Sequence, residues 1–198
     1  SDNALEKSIQ LYGKIRSIID RLYDLRYSGR LPLTSGELWY VVRAGERMTP
    51  EDYLGMLEQL MKDMRETSEN GDDRIPILVS GSLVEDEDIF HAIEQCGGRI
   101  VADDLCTGLR AMGTAVGSGV DPMERLIHMY INRIPCPSRA RAEDRLPFLL
   151  ENLQRSGAVG VVFLHQKFCS PHLSDFPFLS RSLREKGIKS IQIEIDEM

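Results

Sequence analysis

Four short apolar runs constrain this chain more than any other feature. Residues 75–79, 99–102, 159–164 and 190–195 are rich in valine and isoleucine, and helical patterns separate them. Runs of that length bounded by turn residues read as buried strands. Between them the spacing predicts a helix over 85–95 and another opening at Asp121-Pro122. Two more are predicted over 143–156 and 177–186, stopped by Gly157 and Gly187. Strands alternating with helices build a mainly parallel sheet covered on both faces. Right-handed crossovers then favour strand order 2-1-3-4, a flavodoxin-like α/β fold.

Two helices are predicted ahead of the sheet. Leu5, Ile9, Tyr12, Ile15, Ile19 and Leu22 recur at spacings of three and four, and the pattern breaks at Ser28-Gly29 and Leu31-Pro32. The second opens with Thr49 as cap, Pro50 in the first turn and Glu51 and Asp52 at the positive end of the dipole. Tyr53, Leu54, Leu57, Leu60, Met61 and Met64 give it an apolar face. A polar loop over 67–74, containing Asn70-Gly71, follows. The chain thus divides into a helical bridge or cap, 1–70, and a flavodoxin-like domain, 71–198.

The composition suits such a fold. The 198 residues are 42% hydrophobic, enough for a core, and the net charge is −7 without a long basic run. A nucleic-acid backbone or anionic membrane is therefore not expected as a partner. No apolar stretch approaches the ~20 residues that span a bilayer. Ser1 to Lys7 contain no secretory core. The cysteines at 96, 106, 136 and 169 are expected to be reduced, and the compartment cytoplasmic.

In a parallel sheet, ligands gather outside the carboxyl ends of the strands, near the switch in strand order. The loops there are Ser80-Gly81-Ser82, 103–108, 165–172 and the segment from Asp196, so Cys106 and Cys169 share one rim. Cys169 follows the third strand and precedes a helix, where dipole and free amides favour thiolate, the form that binds metal. A buried cysteine serving as a small hydrophobe is the plainer alternative. His165, Cys169 and His172 also form a weak zinc-like pattern without paired cysteines. Asp103 and Asp104 should raise the pKa of Cys106, pointing to a structural or substrate-lining role. Cys96 is expected in the core, Cys136 carries no assigned chemistry, and His91 and His128 fall on helices as surface or packing residues. Ser80 and Gly81 are candidate substrate-binding residues, because small side chains let a ligand approach the backbone. The Gly-rich run 113–119 reads as a flexible connection. GxSxG and GxGxxG are absent.

Several segments in order resemble the 2-hydroxyacyl-CoA dehydratase and benzoyl-CoA reductase family. They are Leu22-Tyr23-Asp24-Leu25-Arg26, Leu33-Thr34-Ser35-Gly36, Ile77-Leu78-Val79-Ser80-Gly81, the stretch from Ile93 through Cys96-Gly97-Gly98 to Arg110, and Gly160-Val161-Val162-Phe163 leading to Lys167-Phe168-Cys169. Gly187-Ile188 and Ile193-Glu194-Ile195-Asp196 close the series. The resemblance implies two flavodoxin-like domains per subunit with a [4Fe–4S] cluster between them. Two cysteines of the N-terminal domain hold that cluster with a third that Cys169 matches; Cys106 is the alternative. It further implies a homologous second subunit, an ATP-hydrolysing iron–sulfur activator and an acyl-CoA substrate. The chain would be one domain of a longer subunit, short of the N-terminal domain and of a last segment after Asp196, and would hold no intact cluster alone. The alternatives are a non-catalytic CoA- or nucleotide-binding module and a zinc-stabilised interaction domain. If the domain normally packs on others, the apolar stripe of its first helix should be poorly buried, and the Cys169 sulfur should face outward beside Ser80 and Cys106.

Overall fold

The structure is a computed structural model and describes residues 2–66, 73–112, 121–133 and 135–196. Residues 67–72 of the polar loop expected over 67–74, and the Gly-rich run 113–119, lie outside the described residues. Three helices come first: α1 (Asp2–Tyr27), α2 (Ser35–Ala44) and α3 (Pro50–Asp63). The rest alternates: β1 (Ile75–Gly81), α4 (Asp88–Gln95), β2 (Gly98–Asp104), α5 (Leu109–Met112), α6 (Pro122–Ile131), α7 (Ala142–Ser156), β3 (Gly160–Gln166), α8 (Ser170–Glu185) and β4 (Lys189–Ile195). All strand pairs are parallel and the order is 2-1-3-4, as the sequence pattern requires.

Side chains alternate across the sheet and feed two cores. Ile77, Val79, Ile100, Val162 and Leu164 pack with Trp39 of α2 and with Phe90 and Ile93 of α4. Leu78, Ala102, Val161 and Phe163 pack with Leu149 and Leu153 of α7 and Leu179 and Leu183 of α8. The β1–β2 register slips once: Ile77 pairs with Ile100, but Leu78 pairs with Ala102. A one-residue slip moves every later side chain to the other face. It therefore aligns Ser80 with Asp104 on the α7–α8 face, where Asp103 would otherwise stand.

Both expected helices form, and α2 lies between them. Thr34 and Glu37 make a reciprocal capping box that starts α2 in a segment whose only signal in the sequence is its place in the family pattern. The α8 start also differs. It begins at Ser170 rather than near 177, because Pro171 fits the first turn and the helix tolerates Pro177 inside it.

The stripe of α1 is not left bare, contrary to expectation. Ile9, Ile15, Ile19, Leu22 and Leu25 are buried, while Tyr12 is exposed. Ile15, Ile19 and Leu22 pack with Leu38 and Val42 of α2 and Tyr53 and Leu57 of α3 in a third core. Two polar links tie this layer to β2. Arg26 donates to the Ile100 carbonyl and to Ser35 Oγ, and Tyr23 donates to Asp103 Oδ2 at 2.6 Å.

A rim of thiols over a buried ionic nest

The carboxyl ends of β1 and β3 meet where the strand order reverses. Gly81 pairs with Leu164 there, and a Cβ at residue 81 would lie 1.8 Å from the Leu164 carbonyl oxygen. No side chain fits, so glycine is a packing requirement at this point. Ser82 then laces the two strands, its amide donating to Leu164 O at 2.9 Å and its hydroxyl accepting from Gln166 N at 2.7 Å.

Ser80, Asp104 and His165 all lie on the α7–α8 face, two positions beyond the apolar residues of their strands. Helices α7 and α8 supply Arg145, His172 and Asp175 to the same place. Asp104 accepts from Ser80 Oγ at 2.9 Å and from Arg145 Nη2 at 3.4 Å, and its Oδ1 lies 3.1 Å from Arg110 Nε. Arg145 Nη1 donates to Asp175 Oδ2 at 2.9 Å. Arg110 Nη2 donates to the carbonyls of Gly81 and Asp104, and Nη1 lies 3.5 Å from His172 Nε2. Charges this deeply buried are tolerated only when paired and hydrogen-bonded. Two arginines and two aspartates meet that condition together.

Both histidines are held neutral. Burial, with Arg145 and Arg110 adding to it, lowers His165 to about 4. Burial, then Arg110, Arg145 and His165, lowers His172 to about 2. A guanidinium only donates, so Nε2 is the acceptor in its contact with Arg110, while Nδ1 is buried without a hydrogen-bond partner. Cys106 Sγ lies 3.9 Å from the same Nε2.

Cys169 stands at the N-cap position of α8, where its side chain makes no capping hydrogen bond, and is half-buried. Its carbonyl accepts from Leu173 N at 3.1 Å. Phe168 before it adopts a left-handed φ of 66° and is 90% exposed. Cys106 is also half-buried; burial is the first cause of its raised pKa, while Arg110 opposes the rise. Of the two acids expected to act on it, Asp104 does so, whereas Asp103 binds Tyr23 on the other face. The thiols of Cys136 and Cys169 are near enough to act electrostatically on Cys106. Cys136, to which the sequence assigns no chemistry, lines a cavity of ≈ 430 Å³ with Cys106, Arg110, Arg133 and Arg139. Proline on both sides gave no signal of that placement. Cys96, expected in the core, is exposed at the end of α4, where the helix stops before Gly97.

All four cysteines are free. Among the described residues, no group of three His, Cys, Asp or Glu is placed to hold a metal. His165 packs against Phe163 and Phe176 and His172 against His165, both rings being buried, so the zinc-like spacing gathers no zinc ligand set among the described residues. Ser80 is fully buried with its hydroxyl on Asp104. The nest of Asp104, Arg110, Arg145 and Asp175 is not legible in the sequence. Its one signal there is an acid at the inward position of a buried strand, which demands a cation.

All 198 residues match the family described as 2-hydroxyglutaryl-CoA dehydratase, D-component. The chain belongs to that family. It is 25% identical over 198 residues to the (R)-phenyllactyl-CoA dehydratase beta subunit of Clostridium sporogenes, covering 99% of this chain and 52% of the relative. It is 26% identical to a benzoyl-CoA reductase subunit of Thauera aromatica, covering 100% of this chain and 52% of the relative. Against the (R)-2-hydroxyglutaryl-CoA dehydratase beta subunit of Acidaminococcus fermentans the identity is 22%, covering 100% and 54%. The chain thus spans about half the length of these curated relatives of the D-component family. Those relatives are named as dehydratase and reductase subunits. Among the described residues, no helix is long and apolar enough to cross a membrane.

Proposed function

We propose that this chain is the C-terminal part of a subunit acting on acyl-CoA thioesters, and that it supplies Cys169 as one thiolate ligand of a [4Fe–4S] cluster. The observation that carries this reading is the position of Cys169, at the N-cap of α8 just past the carboxyl end of β3. A helix start offers amides and a positive dipole end to a thiolate. The donor set suits one corner of a cluster and not a whole one, so the remaining ligands come from the other half of the protein. Phe168 supports this, since an aromatic 90% exposed beside the ligand suits a surface that another domain covers.

Cys106 is the alternative ligand, less favoured because its sulfur faces the acceptor nitrogen of His172. The substrate-side role of Ser80 and Gly81 is then indirect, setting where the loop after β1 begins, since both are buried, Ser80 bonds Asp104 and Arg110 holds the Gly81 carbonyl. Residues 1–70 act as the bridge between this domain and the other half. When bound, the cluster supplies low-potential electrons to the thioester. The proposed partners are the N-terminal domain, a homologous second subunit, an ATP-hydrolysing iron–sulfur activator and an acyl-CoA; the proposed compartment is the cytoplasm. The residues of this chain position one ligand and close one wall of the site.

Cys169→Ser in the complete subunit tests the reading by anaerobic reconstitution, iron counting and visible absorption. Iron and activity are expected to fall together while the thermal midpoint stays near that of the parent. A variant that keeps its full iron content moves the assignment to Cys106.

A further inference from the structure

Arg110 is buried, and its contacts come from three separate segments of the chain. It donates to the Gly81 carbonyl at the end of β1 and to the Asp104 carbonyl at the end of β2. Its Nε lies 3.1 Å from the Asp104 carboxylate. Its remaining arm lies 3.5 Å from His172 Nε2 on α8. His172 stands three residues inside the helix whose N-cap position Cys169 holds, less than one turn along it. Asp175, on the same helix, is held by Arg145, which shares Asp104 with Arg110.

We infer that Arg110, acting through its contact with His172 Nε2, is the positioning residue that fixes the Cys169 sulfur on the rim. The inference rests on reading Cys169 as a cluster thiolate. Three features carry it. The planar fork of the guanidinium reaches both loop carbonyls and the imidazole at once, which an ammonium on a flexible stem cannot do. The imidazole must remain an acceptor, because Arg110 offers only donors. A helix held through its first turn has its N-cap fixed as well, so a loosened His172 frees Cys169 before it frees the core.

The test uses four variants of the complete subunit. Arg110→Lys keeps the charge and loses the fork. His172→Phe keeps a ring and loses the acceptor, and His172→Gln restores an acceptor oxygen. Cys169→Ser reports on the underlying reading. Two measurements are made: the paramagnetic resonance spectrum and midpoint potential of the reconstituted protein, and the rate of iodoacetamide alkylation of Cys169 in the iron-free protein. Arg110→Lys and His172→Phe are expected to keep iron, to alter the spectrum and potential, and to raise the alkylation rate several-fold. His172→Gln is expected to return both readouts toward the parent. Unchanged spectra and alkylation in His172→Phe, or a His172→Gln variant as altered as His172→Phe, would overturn the inference. Should Arg110→Lys fail to fold, the two His172 variants decide, since they leave the other contacts of Arg110 in place. If Cys169→Ser keeps its iron, the cluster reading fails, while alkylation of Cys169 still reports whether Arg110 positions it.

Discussion

His165 and His172 show how single residues reveal a buried site. Each imidazole is neutral in the fold and ordinary in the unfolded chain, so the unfolded state binds more protons below pH 6.5. Stability is then fully present above that pH and is lost as pH falls, toward about 4 for His165 and about 2 for His172. Each group can withdraw about 1.4 kcal/mol per pH unit within its window. Urea unfolding at pH 7, 5.5 and 4.5 should show a steep loss, and His172→Gln should remove its share of the slope. Equal slopes in parent and variant would mean that His172 carries its proton in the folded state. The sequence placed His165 at a strand end, but its neighbours Phe163, Phe176 and His172 come from the strand and from a helix whose docking the local pattern does not specify. Cys169 was legible because a cysteine between a strand and a helix start has few places to go. Arg110 was not, because only the slip in β1–β2 register brings Ser80 and Asp104 opposite each other on its side of the sheet.

At the scale of elements, strands and long helices followed their periodicity, and the short helix α2 did not. Its ten residues carry Gly36 and the aromatics Trp39 and Tyr40, which weakens a periodic signal. What starts it is the capping box of Thr34 and Glu37, a reciprocal arrangement that satisfies orphan amides. Thr34→Ala should cost about 1 kcal/mol, measured as a lower urea midpoint at constant slope. A larger cost is expected only if the rim is disturbed too, since Trp39 Nε1 donates to Thr107 Oγ1 beneath Cys106 at 3.3 Å. The start of α8 has no such box, since Cys169 at its N-cap makes no side-chain capping hydrogen bond. Its first turn is defined by Cys169, Ser170 and Pro171, not by the apolar run that begins later at Phe176.

For the whole molecule, the helical layer and the sheet are joined by Arg26, Tyr23 and α2, so they should unfold as one unit. Leu22 is fully buried between α1 and its neighbours. Leu22→Ala should cost about 2–5 kcal/mol and shift fluorescence of the single Trp39 and far-ultraviolet dichroism together. Two separated transitions would mean that residues 1–70 unfold independently of the sheet. The sequence by itself determined the four parallel strands and their order, most of the helices, and the rim on which Cys106 and Cys169 both sit. Hydrophobic periodicity and caps are local, and right-handed crossovers leave few topologies, so these features need no knowledge of distant contacts. Only the tertiary structure decided that α1 is covered, that Cys136 joins Cys106 in one cavity, and that Arg110 ties three segments together. Those outcomes depend on where separate segments meet, and the free energy of a buried charge or an apolar stripe is set by partners far away in the chain.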